Sequence, residues 1–190
     1  MNKKIYIGVL GGSFDPPHEG HLNISKAAIS KMKLNEIWWI VTSNNPFKFN
    51  SSTYSARLFK TKNFVNGKKI KIVNLKKEQS AFTIDTVLFL KKKYPAYKFI
   101  WLMGSDNLKN LKQWKKWKCI FYNIPIAIFY RPLYSFILTK FKALTYFRKA
   151  KVRNKLIKKF KYLKPPIWIF IKGLPTFQSS TQLRTRIVDE

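Results

Sequence analysis

Ile5-Tyr6-Ile7-Gly8-Val9-Leu10-Gly11-Gly12-Ser13-Phe14-Asp15-Pro16-Pro17-His18-Glu19-Gly20-His21 is the stretch on which the fold turns. Its apolar, β-branched opening predicts a strand over residues 4–10. Apolar residues spaced three and four apart predict a helix over 21–32. A strand that runs through a glycine-rich turn into a helix is the opening half of a βαβ unit. In that turn Gly11 and Gly12 let the backbone approach an anion closely, and Pro16 and Pro17 stiffen the loop. The free amides of the next helix can then receive a phosphate. The loop contains neither the GxxxxGK[ST] nor the GxGxxG pattern, so ordinary P-loop kinases and dehydrogenases lose their main support.

His18 and His21 are the only histidines in the chain. Three residues apart at a loop-to-helix junction, they project toward one side of the helix start. A zinc site would need a third ligand, and the single cysteine, Cys119, is remote while acidic residues are few. Two imidazole N–H donors aimed at an α-phosphate fit better. Displacement at phosphorus needs alignment and stabilisation of spread negative charge more than it needs covalent chemistry.

Outward from this stretch, β-type segments at 36–42, 70–74, 98–103, 124–130 and 167–171 bring the predicted strands to six. Helical spacing recurs over 55–65 and 83–94, as in Ile84, Val87, Leu88 and Leu90. Strands alternating with helices of this length predict an α/β fold, Rossmann-like, with a mostly parallel sheet flanked by helices. Ligands are expected beyond the C-terminal ends of the strands. Residues 140–164 form a basic amphipathic stretch whose expected form is a solvated surface helix, with a mobile insertion as the alternative.

With 190 residues and 46% hydrophobic content, a single domain spanning 1–190 is expected. One cysteine allows no internal disulfide and points to a reducing, cytoplasmic compartment. The short apolar run at 5–10 is interrupted by glycine too early for a secretion signal. The run at 124–138 carries Pro125, Arg131 and Pro132, so no membrane span is expected. The net charge of +30 would suit a phosphate-rich partner, yet the lysines are spread along the whole chain rather than gathered in one arm.

The run from Gly12 to His21 resembles the HxGH signature of the nucleotidyltransferase superfamily, and its GSFDPPHxGH form is similar to that of bacterial nicotinate-nucleotide adenylyltransferases. Asn44-Asn45-Pro46 with Lys48, Gly104-Ser105-Asp106 with Trp114, and Ser179-Ser180-Thr181-Gln182-Leu183-Arg184 agree in order and spacing. The last resembles the ISSTxIR motif of the adenylyl-transferring members, with Gln178 replacing an apolar residue. The region 133–164 is poorly matched and receives no roles.

The resemblance implies adenylyl transfer from ATP to nicotinate mononucleotide by direct in-line attack, a step of NAD biosynthesis. On this reading His18 and His21 are catalytic. Gly11, Gly12, Ser13, Phe14, His18, His21, Ser180, Thr181 and Arg184 bind ATP, while Asn44, Lys48, Thr83, Asp106 and Trp114 bind the acceptor. The residue types suit these roles. Ser180 and Thr181 can cap a helix whose amides, with Arg184, hold the departing pyrophosphate. Asp106 can accept from ribose hydroxyls, Trp114 offers a flat face to a ring, and Lys48 can neutralise a phosphate. The helix start at Thr83 suits an acid better than an amide. No DxD-type cluster appears, so Mg²⁺ is expected to arrive with ATP and no dedicated metal site is expected. No nucleophile with a positioned base is evident, which favours single displacement. The alternatives are another acceptor, nicotinamide mononucleotide or phosphopantetheine, or a non-catalytic RNA-binding protein. Nucleic acid is the lesser expectation despite the charge; a homo-oligomer is left open.

Overall fold

The computed structural model describes residues 4–43, 52–75, 81–130 and 141–173. Seven strands form one sheet: β1 (Ile5–Gly12), β2 (Glu36–Val41), β3 (Ile70–Ile72), β4 (Tyr97–Gly104), β5 (Ile126–Phe129), β6 (Lys151–Val152) and β7 (Trp168–Ile171). Their order is β3-β2-β1-β4-β5-β7-β6, and every pairing is parallel. The six expected strands are all present, shifted at their ends by a few residues.

The helices are α1 (Glu19–Met32), α2 (Tyr54–Phe64), α3 (Thr83–Lys93), α4 (Trp117–Asn123) and α5 (Lys142–Tyr146). Alternation along each strand divides the core into two layers. Val9, Trp38, Trp101 and Ile128 pack with Ile84, Val87 and Leu90 of α3, Ile120 and Phe121 of α4, and Leu144 of α5. On the opposite face Leu10, Trp39, Leu102 and Phe129 pack with Ile24, Ala28 and Met32 of α1 and with Leu58 of α2. Strands buried on both faces explain the near-continuous apolar runs in the sequence.

The topology locates the site. From β1 the chain steps to β2 and β3 in one direction, then returns to lay β4 on the other side of β1. Gly12 pairs with Val41, and Leu10 pairs with Leu102. The ends of β1, β2 and β4 are therefore level, and the connections leaving β1 and β4 diverge to opposite faces. Such a switch point opens a crevice outside the carboxyl ends of the strands.

Residues 140–164 are not the single solvated helix expected. In their described part, 141–164, they form α5, the two-residue edge strand β6, and 3₁₀ turns at Arg148–Ala150, Asn154–Leu156 and Phe160–Tyr162. Ala143, Leu144 and Phe147 are buried in the α3-side layer while Phe160 is buried in the α1-side layer. The segment therefore wraps the sheet edge from one face to the other, which one straight helix cannot do. Among the described residues no helix is long and apolar enough to cross a membrane.

Candidate active site

Gly11 and Gly12 belong to β1 itself, and the turn begins at Ser13. Neither glycine has a positive φ. What position 11 requires is the absence of a side chain: a Cβ there would lie 2.6 Å from Cη2 of Trp101. Position 12 is roomier, with the Phe14 ring 3.4 Å from such a Cβ.

Phe14 takes the left-handed conformation (φ 48°), costly for a bulky residue. Burial offsets the strain: its ring is covered, and it stacks on Trp39 with centroids 4.8 Å apart and planes 10° from parallel. His21 lies against the same ring at 4.7 Å, and His18 stacks on His21 at 3.8 Å. Trp39, Phe14, His21 and His18 thus form a column from the core to the loop. Trp39 donates through Nε1 to Ser25 Oγ (2.8 Å), which donates to the His21 carbonyl (2.9 Å).

His18, in extended conformation, is the residue that precedes α1, and His21 is the third residue of its first turn. His21 Nδ1 accepts from the His18 backbone N–H at 3.2 Å, as a glutamate does at this position in a capping box. That bond fixes the tautomer: Nδ1 carries the lone pair, so a neutral His21 holds its proton on Nε2. Two imidazoles thus meet at the positive end of a 14-residue helix, an arrangement suited to an anion.

On the other side of the crevice, Thr83 opens α3, with Phe82 before it. Asp106 is the second residue of the 3₁₀ turn Ser105–Lys109 that follows β4, and Asn107 Nδ2 lies 3.4 Å from its Oδ1. Trp114 is half-buried and packs on the α3-side core. Its neighbour Lys115 bridges to Asp85 in the first turn of α3 at 3.0 Å and sits 4.7 Å from the Phe82 ring. The tie links the turn that carries Trp114 to the first turn of α3, which Thr83 opens. Asn44, Lys48, Ser180, Thr181 and Arg184 lie outside the described residues. Among the described residues no three metal-ligating side chains gather into a cation site.

Sequence reading did not find Arg57. On α2 and 3% exposed, it donates from Nη1 to the carbonyls of Ser13 and Thr42 (both 2.8 Å), from Nη2 to Ser43 (3.1 Å) and from Nε to Ser52 (3.0 Å). Burial pushes its guanidinium below the ordinary value; the Asp15 carboxylate and Tyr54 oppose this. Asp15 in turn accepts from the Ser52 backbone N–H at 3.1 Å.

A parallel sheet wound in both directions from its first strand, with paired histidines where that strand meets its helix, defines a Rossmann-like nucleotidyltransferase. The chain belongs to the cytidylyltransferase-like family, whose model matches residues 9–186, and within it to the nicotinate-nucleotide adenylyltransferases. A "Probable nicotinate-nucleotide adenylyltransferase" of Ruegeria sp. (strain TM1040) is 33% identical over 182 residues, covering 95% of this chain and 96% of the relative. The protein of the same designation from Agrobacterium fabrum is 34% identical over 181 residues, covering 94% and 97%. In fold, the chain is similar to Plasmodium falciparum nicotinic acid mononucleotide adenylyltransferase complexed with NaAD. The TM-score is 0.70 at 19% identity, with 95% of this chain and 83% of that one covered.

Proposed function

We propose that the protein transfers the adenylyl group of Mg-ATP to nicotinate mononucleotide, releasing pyrophosphate and forming nicotinate adenine dinucleotide. The observation that carries this is the His18–His21 stack at the α1 N-terminus, with Asp106 following β4 and the start of α3 tied to the Trp114 turn through Lys115 and Asp85.

A phosphate oxygen of the acceptor attacks the α-phosphorus in line; the bond from that phosphorus to the oxygen bridging to the β-phosphate breaks, and its electron pair leaves with pyrophosphate. His21, holding its proton on Nε2, and His18 donate to the α-phosphate oxygens as charge spreads over them. The bare backbone of Gly12 lets the triphosphate approach between Gly11 and Ser13, while Phe14 braces His21. Ser180, Thr181 and Arg184 are assigned to the β- and γ-phosphates by their resemblance to the family motif. Mg²⁺ comes with the nucleotide and neutralises phosphate charge there.

On the acceptor side, the start of α3 at Thr83 offers amides and a positive dipole to the pyridine carboxylate. Trp114 stacks on the pyridine ring, Asp106 accepts from ribose hydroxyls, and Asn44 and Lys48 meet the mononucleotide phosphate. Residues 1–190 act as a single domain in the cytoplasm on small nucleotides, without nucleic acid.

The test is pyrophosphate release from Mg-ATP with nicotinate mononucleotide, nicotinamide mononucleotide or phosphopantetheine offered separately. Nicotinate mononucleotide should turn over fastest, and His18→Ala should lower kcat by about 10²–10³-fold. Turnover with another acceptor alone moves the protein to a sister activity. Silence with all three, from folded protein that binds ATP, defeats the enzyme reading.

A further inference from the structure

We propose that Arg57 is a positioning residue of this site: its guanidinium locks the loop after β1 to the end of β2, so the histidine-bearing loop keeps one placement at the crevice. The proposal rests on the function proposed above for its kinetic part only.

The geometry is that of a plane serving three pieces of backbone. Nη1 holds Ser13 and Thr42, Nη2 holds Ser43, and Nε holds Ser52. Ser13 precedes Phe14, whose ring lies against His21; Thr42 follows β2 and donates its N–H to the Gly12 carbonyl at 2.9 Å. Asp15 makes a second tie on the same loop through Ser52. A shift of Ser13 is therefore passed through Phe14 to the histidine pair, while a shift of Thr42 and Ser43 moves the β2 side.

Only a guanidinium can do this. A lysine ammonium is a single point on a narrower stem and reaches one edge of the carbonyl set, leaving the others buried without their donors. The sequence carries an independent sign of the same demand. Arg57 is the first arginine in the chain and the next is Arg131, whereas lysine recurs throughout the intervening stretch. A chain that otherwise uses lysine keeps arginine where the planar fork is needed.

The decisive variant is Arg57→Lys, compared with Phe59→Ala on the same helix, where the ring is 66% exposed. For Arg57→Lys, kcat should fall about 10–100-fold, with KM for ATP and for nicotinate mononucleotide each within about threefold, because misplacement of bound groups slows the reacting step. Phe59→Ala should keep wild-type kcat. Hydrogen exchange at residues 13–18 and 42–43 should rise together in Arg57→Lys, with β4 unchanged. A kcat within about twofold of wild type alongside a lowered melting temperature, or faster exchange confined to α2, overturns the proposal. If the wild-type protein turns over no acceptor, the function fails and the exchange result alone decides the clamp. Should the variant not fold, wild-type exchange in low denaturant decides it: 13–18 and 42–43 must open at one common concentration, and separate openings overturn it.

Discussion

His21 does two separable things: Nδ1 accepts the His18 N–H, and Nε2 carries the proton of the neutral ring. Asparagine separates them, because its side-chain oxygen can take the place of Nδ1 while nothing replaces the Nε2 donor. His21→Asn and His21→Ala both lose the ring contacts with Phe14 and His18, but only the alanine variant also loses the reach-back bond. That bond is worth about 1 kcal/mol, so His21→Asn should melt about 2–4 °C above His21→Ala. Both should lose about 10²–10³-fold in kcat. Thermal melts and pyrophosphate release check this together, and an asparagine variant within tenfold of wild-type turnover would remove Nε2 from the chemistry. The histidine pair could be read from sequence because histidine is scarce here and the spacing is tied to a strand-to-helix turn. Arg57 could not be read the same way. Its guanidinium donates to four backbone carbonyls, which leave no residue-type signature, and the one trace it does leave is its rarity among lysines.

Adjacent glycines at the end of β1 have different reasons to be glycine, and alanine distinguishes them. At position 11 the methyl meets the rigid, buried indole of Trp101 at 2.6 Å, so Gly11→Ala should destabilise by about 1–3 kcal/mol, the usual cost of overpacking. At position 12 the nearest atom is 3.4 Å away, so Gly12→Ala should cost less than about 1 kcal/mol while weakening ATP binding, because its methyl obstructs the approach of the triphosphate. Denaturant melts paired with ATP titration check the contrast; equal stability losses with unchanged ATP affinity would refute it. The strands and α1 to α3 were legible because their apolar periods agree with burial on one or both faces. The stretch 141–164 was not. Its buried residues, Ala143, Leu144, Phe147 and Phe160, serve two opposite layers, so no single period describes them. The short α4 also went unread, since Trp117–Asn123 spans only seven residues, too few to declare a helical repeat.

Charge acts on the molecule as a unit, and here it has a direction along the chain. No acidic residue lies between Asp106 and Asp189, while lysine and arginine recur throughout, so the second half of the protein carries most of the +30 excess. Both proposed substrates are polyanions. A strongly positive body raises the local concentration of such ligands and speeds their encounter, an effect that salt screens over a Debye length of about 10 Å at 0.1 M. The reacting groups are different: His18 is 2% exposed, and buried donors are screened far less. Salt should therefore act on capture and spare chemistry. Between about 20 and 300 mM KCl, kcat/KM should fall about threefold to tenfold while kcat stays within about twofold. Steady-state kinetics across that range, with Mg-ATP and acceptor varied in turn, make the check. A kcat that falls in parallel with kcat/KM would mean that surface charge reaches the reacting centre, and a flat kcat/KM would leave the lysine excess without any part in substrate capture.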